Sequence, residues 1–102
     1  MSDSEKERTI RAFVRGRVQR VGYRAWVNAN AVALGLRGFV RNRADGSVEA
    51  VFSGAPAQVA QIAESLNRGP PKASVSSVEI TEVTQAAVAE TFGAHFVVLP
   101  TL

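Results

Sequence analysis

From Arg8 to Val18 apolar and charged residues take turns: Ile10, Ala12, Val14 and Val18 interleave with Arg11, Phe13, Arg15 and Arg17. Successive side chains of a strand point to opposite faces, so this period of two predicts a strand with one apolar and one arginine-rich face. Such a strand needs a second layer to cover its apolar face. The next residues supply it. Arg24 to Leu34 is rich in alanine, and Val27, Ala31 and Leu34 recur at helical spacing. That pattern predicts a helix closed by a left-handed cap at Gly35.

A switch between the two periods continues along the chain. Arg37–Asn42 predicts a second strand around Phe39 and Val40, Asp45-Gly46 a turn, and Val48–Phe52 the returning strand of a hairpin. Gly54 and Pro56 open a second helix, with a stripe of Val59, Ile62, Ala63 and Leu66, that stops before Gly69-Pro70-Pro71. Val75–Val83 predicts a fourth strand with Val78 and Ile80 on its inner face. After a polar, alanine-containing connection, His95–Leu99 predicts a short fifth. Strand, helix, strand, strand, helix, strand is a split βαβ order. It predicts an α+β, ferredoxin-like βαββαβ sandwich: an antiparallel sheet with both helices on one face and a short extra C-terminal strand. A chain of 102 residues supports one modest core and not two. Residues 8–102 are therefore expected to form a single domain, and the polar residues 1–7 a flexible tail.

Composition removes several chemistries. Cysteine is absent, which excludes disulfides, thiolate nucleophiles and cysteine–zinc sites and fits a cytoplasmic location. A single histidine, His95, builds no metal cage alone, and a structural or surface role is expected for it. The first residues lack the apolar segment of a signal peptide, and no apolar run approaches the ~20 residues of a membrane span. The net charge of +3 is unevenly spread: between Arg8 and Arg43 every charged residue is arginine, whereas from Ala44 onward acidic residues dominate. This segregation points either to an anionic partner near the first half of the fold or to a plain solvated face.

The residues between the first strand and the first helix carry the chemistry. Gln19-Arg20-Val21-Gly22-Tyr23 is a short loop whose consecutive backbone N–H groups can converge on an anion, with Gly22 permitting the bend. Arg24, in the first helical turn, can fold over the same anion, which would offset its unfavourable place against the helix dipole. Asn42 shares the face of Val40 by period two; it is either an orienting group for a water molecule or a turn residue. Tyr23 and Trp26 either stack on an aromatic ligand or pack helix against sheet. No Ser-His-Asp order or carboxylate spacing suggests a covalent nucleophile or a metal site.

Gly16-Arg17-Val18-Gln19-Arg20-Val21-Gly22-Tyr23-Arg24 resembles the acylphosphatase signature G-x-V-Q-G-V-x-(F/Y)-R. Gly38-Phe39-Val40-Arg41-Asn42, followed by Asp45-Gly46-Ser47-Val48-Glu49, is similar to the family's second block. The resemblance covers nearly the whole chain after the tail. It implies hydrolysis of the carboxyl–phosphate anhydride of small acyl phosphates by a cytoplasmic monomer, without metal, cofactor or phosphoenzyme. Arg24 and the N–H groups from Gln19 to Tyr23 would bind the phosphate, for which inorganic phosphate or sulfate would compete, and Asn42 would hold the attacking water. Membranes and nucleic acids are not expected as partners.

One residue departs from the pattern. Arg20 stands where the family usually has a second glycine. If the position needs positive φ, arginine is strained there by ~1 kcal/mol or more; otherwise it takes ordinary torsions and adds a cation at the mouth. Two other readings stay open. One is an RNA-binding module of the same architecture, for which Phe13 among the strand-one arginines speaks and Glu49 speaks against. The other is a catalytically silent anion-binding domain.

Overall fold

The computed structural model describes residues 7–83 and 95–102. The rest of the expected tail, and the connection before the last strand, lie outside the described residues. The elements follow the order β1 (Arg8–Arg17), α1 (Tyr23–Ala33), β2 (Arg37–Asn42), β3 (Val48–Gly54), α2 (Pro56–Ser65), β4 (Ser74–Glu82) and β5 (Phe96–Val98). They form one sheet of order β4-β1-β3-β2-β5. The first four strands pair antiparallel. The fifth lies parallel to β2, so the complete sheet is mixed.

The alternation in β1 does what its period requires. Ile10, Ala12 and Val14 are fully buried and stand opposite Phe52, Ala50 and Val48 of β3. The small Ala12–Ala50 pair in the middle of this row leaves space for helix side chains. Val27 and Ala31 of α1 and Val59 and Ile62 of α2 join the same buried cluster, which places both helices on one face. Burial of each large side chain here contributes ~1.5–3 kcal/mol against leaving it exposed.

Local chemistry sets the ends of the helices. After α1, Gly35 takes φ 72°; its N–H donates to Val32 O and that of Leu36 to Ala31 O, the paired bonds of a Schellman cap. Helix α2 starts with Pro56 in its first turn, where a missing N–H costs nothing. It ends at Ser65, before Gly69-Pro70-Pro71 as expected, and Arg68 N–H bonds to Ser65 O in a tighter turn beyond it. In β4, Val78 and Ile80 stand opposite Val14 and Ala12 on the expected inner face, and Val78 packs on the core, but Ile80 is 41% exposed. Helix α2 packs on β1 and β3, and the described residues leave this stretch of the edge strand open.

The outer face holds the least expected feature. Glu49, on the outward row of β3, is 3% exposed. Arg41 Nε and Arg43 Nη1 each donate to its Oε1 at 2.9 Å, and Arg11 Nε lies 3.3 Å from Oε2. The guanidiniums of Arg41 and Arg43 also cover the rings of Phe39 and Phe13. Arg8 pairs with Glu82, Arg15 with Glu79 and Arg37 with Glu7. The acids of the second half thus fold back on arginines of the first, and much of the segregation in sequence cancels in space.

Burial alone would push the Glu49 carboxyl up, but the hydrogen bonds and charges of Arg41 and Arg43 outweigh it and hold the group below its ordinary value of 4.5. A depressed folded pKa means stability that is present above the unfolded value and lost as pH falls through the folded one. Glu49→Gln should therefore cost about 2 kcal/mol at neutral pH, the scale of charge-assisted hydrogen bonds lost from a buried group. The gap from wild type should close in acid. Denaturant midpoints of both proteins across pH check this.

Candidate active site

Strand β1 hands over to the loop at Val18, whose side chain is buried. The next residue fixes the loop in place. Gln19 Nε2 donates to Arg43 O at 2.8 Å and to Ser47 O at 2.9 Å, both carbonyls of the turn between β2 and β3. That turn is itself closed by Arg43 N–H to Ser47 O and by Ser47 N–H and Oγ–H to Asp45 Oδ1. The bonds from Ser47 hold the Asp45 carboxyl below its ordinary value. The β1–α1 loop is thereby pinned beside the end of β2, where Asn42 sits.

Helix α1 begins without a side-chain cap. Gly22 is the N-cap, at φ 81°, a left-handed torsion that glycine adopts without strain. A Cβ at this position would meet nothing within 4 Å, so torsion rather than space favours glycine. The first turn closes with Trp26 N–H to Gly22 O. The N–H groups of Tyr23, Arg24 and Ala25 precede that bond and have no intrahelical acceptor.

The same three residues line a pocket of about 400 Å³, together with Arg20 and Gly22 from the loop and Asn42 from β2. Val18, Asn28 and Val98 complete its wall. Among the described residues the lining holds two arginines and no carboxylate, so its field favours an anion. Neither Arg20 nor Arg24 has an ion pair among the described residues. Asn42 is 8% exposed, and its Oδ1 is a buried acceptor with no hydrogen-bond partner among the described residues. Buried polar atoms are nearly always satisfied; an unmet acceptor on a residue that lines a cationic pocket marks Asn42 as placed for a partner there.

The remaining sequence candidates divide between the pocket and its support. The Gln19 side chain is spent on the β2–β3 turn, and Val21 packs against the core; neither lines the pocket, so any contact with a ligand would run through backbone N–H. Tyr23 is 1% exposed, donates its hydroxyl to Leu66 O at 2.8 Å and lies 5.5 Å from the Trp26 ring. Burial pushes its phenol well above the ordinary value, which keeps it a donor. Its ring is a packing element and not a stacking surface. Exposed His95 offers its carbonyl to Gly38 N–H, a structural use. Asn28 was missed in the sequence, although it follows Arg24 by one helical turn and so shares its face. Val98 had no local signal, because its place depends on β5 lying beside β2.

Arg20 has φ 63° and is the non-glycine residue with positive φ among those described. It is also exposed at the pocket's edge. The strained alternative therefore holds and ordinary torsions are excluded, although the side chain still stands on the pocket's lining. Arg20→Gly should remove ~1–2 kcal/mol of strain, partly offset by the greater freedom of glycine in the unfolded chain. A net stabilisation of about 0.5–1 kcal/mol is expected, read as a higher denaturation midpoint.

A family model described as Acylphosphatase matches residues 10–94. An acylphosphatase of Bradyrhizobium diazoefficiens is 48% identical over 98 residues, covering 91% of this chain and 95% of that protein. Among solved structures, an acylphosphatase from Coxiella burnetii superposes with a TM-score of 0.84 at 33% identity, covering 96% of this chain and 100% of that one. The acylphosphatase from Bacillus subtilis gives 0.81 at 32% identity, covering 90% and 98%. Match and coverage extend over nearly the whole fold, including the loop and the β2 end that build the pocket. The chain belongs to the acylphosphatase family.

Proposed function

We propose that the pocket hydrolyses the carboxyl–phosphate anhydride of small acyl phosphates, with Arg24 and the N–H groups of the loop and of α1 holding the phosphate and Asn42 orienting the water. The observation that carries this reading is the buried Oδ1 of Asn42, without a hydrogen-bond partner among the described residues, on a residue that lines the same pocket as Arg24, which has no ion pair among them. The planar fork of Arg24 grips two phosphate oxygens by parallel hydrogen bonds. The N–H groups from Gln19 to Tyr23, and those of the uncapped first turn, supply further donors at the positive end of the helix. Asn42 Oδ1 accepts one hydrogen of a water and turns its oxygen toward phosphorus.

The chemistry asks little more of the protein. Phosphoryl transfer through a loose transition state needs positioning and charge stabilisation. The water oxygen bonds to phosphorus as the bridging P–O bond breaks, and the electron pair leaves with the carboxylate. Because carboxylate is a good leaving group, no strong general acid is needed. The lining residues hold no group suited to act as a base at neutral pH, and a non-bridging oxygen of the substrate phosphate takes the water's proton. The products are a carboxylate and inorganic phosphate, and inorganic phosphate or sulfate should compete for the same donors. We place this activity in a cytoplasmic monomer whose single domain spans residues 8–102. No described helix is long and apolar enough to cross a membrane.

RNA binding on the outer sheet face finds less support. Arg11, Arg41 and Arg43 are engaged by Glu49, and the rings of Phe13 and Phe39 lie under guanidiniums instead of open to bases.

Arg24→Ala and Asn42→Ala should each lower benzoyl phosphate turnover by ~10²-fold or more, the scale of a lost transition-state donor or positioning group. Arg24→Lys should be poor as well, since ammonium does not reproduce the fork. Wild-type activity should resist a chelator, and its pH profile should show no enzyme base of shifted pKa. Near-wild-type rates in folded Arg24→Ala and Asn42→Ala would refute the assignment.

A further inference from the structure

Arg20 combines a backbone torsion, a lack of ion pairs and an exposed place that no other described arginine of the first half brings together. It holds positive φ, has no ion pair among the described residues, and stands exposed on the wall of the pocket that contains Arg24. Arg8, Arg11, Arg15, Arg37, Arg41 and Arg43 are all matched to carboxylates. Resting on the hydrolase reading above, we propose that the Arg20 side chain selects acyl phosphates whose acyl part carries a second anionic group, a carboxylate or a phosphate.

The backbone N–H of residue 20 is available to the reacting phosphate whatever side chain stands there, and glycine would hold the same torsions without strain. What the position carries at a conformational cost is the guanidinium itself. Among the described residues no carboxylate lines the pocket to occupy it. The pocket volume of about 400 Å³ falls within the range of small-ligand sites, ~300–1,000 Å³, which leaves room beyond the phosphate for an acyl chain. Arg24 lies in the helix and Arg20 in the loop before it, and both line the pocket; with the phosphate held by Arg24 and the loop N–H groups, on this proposal the Arg20 guanidinium takes the acyl end. A guanidinium receives carboxylate or phosphate through the same fork.

The test compares kcat/KM for butyryl phosphate, succinyl phosphate and 3-phosphonopropanoyl phosphate on wild type, Arg20→Gly, Arg20→Lys and Arg24→Ala. The preference of wild type for at least one anionic substrate over butyryl phosphate should exceed that of Arg20→Gly by about fivefold, the scale of an exposed ion pair. Arg20→Lys should keep part of the preference, and added salt should shrink it. The anionic substrate with the larger drop identifies the anion that fits. An equal loss on all three substrates would assign Arg20 to the shared phosphate, and no loss would leave it idle; either result overturns the proposal. Butyryl phosphate hydrolysis that is absent, or indifferent to Arg24→Ala, would overturn the hydrolase reading and this proposal with it. Arg24-dependent hydrolysis with an unchanged preference would overturn only the role of Arg20.

Discussion

Two hydrogen bonds from one side-chain amide hold the pocket together. Gln19 Nε2 reaches the carbonyls of Arg43 and Ser47 and so joins the loop after β1 to the turn after β2. Each bond contributes only about 1 kcal/mol to stability. Their positional effect is larger, since a shift of ~1 Å in a reacting group can cost ~10²-fold in rate. The turn they grip is stiffened by Asp45 and Ser47. Asn42 immediately precedes it, and Arg24 follows the pinned loop. Groups far apart in sequence thus come to line one pocket.

The arginines are sorted by the same fold. Arg8, Arg11, Arg15, Arg37, Arg41 and Arg43 meet carboxylates, most tightly at Glu49, where Arg11, Arg41 and Arg43 converge over the outer face. That cluster ties β1, β2 and β3 across their central pairing. The arginines without ion pairs among the described residues, within the segment from Arg8 to Arg43, are Arg17, Arg20 and Arg24, at the end of β1, in the loop and in the first turn of α1. Unneutralised cation therefore concentrates where the helix start also presents free N–H groups, and both favour an anion.

Legibility in the sequence follows the range of the interactions. Hydrophobic period located every described element to within a few residues, because burial of one face is a local pattern. Period two placed Asn42 on the helix side, and its burial agrees. Ile80 was read inward by the same rule, but inner-row residues are buried only where another layer lies over them. Glu49 looked like a charge on an exposed row; its burial depends on arginines from neighbouring strands, which register and not period decides. Gln19 was read for its N–H, whereas its side chain proved to be the tie to the hairpin. The torsion of Arg20 was undecidable locally, since an arginine rarely holds positive φ unless its surroundings impose it.

The central claim is that Arg24 and Asn42 act as one unit on one phosphate. A double-mutant cycle on kcat/KM for benzoyl phosphate tests it most directly. If Asn42 positions water against the phosphate that Arg24 holds, orientation is worth little once the phosphate is loose. The double variant Arg24→Ala with Asn42→Ala should then fall within about tenfold of the slower single variant, the non-additivity of groups that work together. Multiplying losses, ~10⁴-fold or more from singles of ~10²-fold each, would show two independent contributions and contradict the shared site.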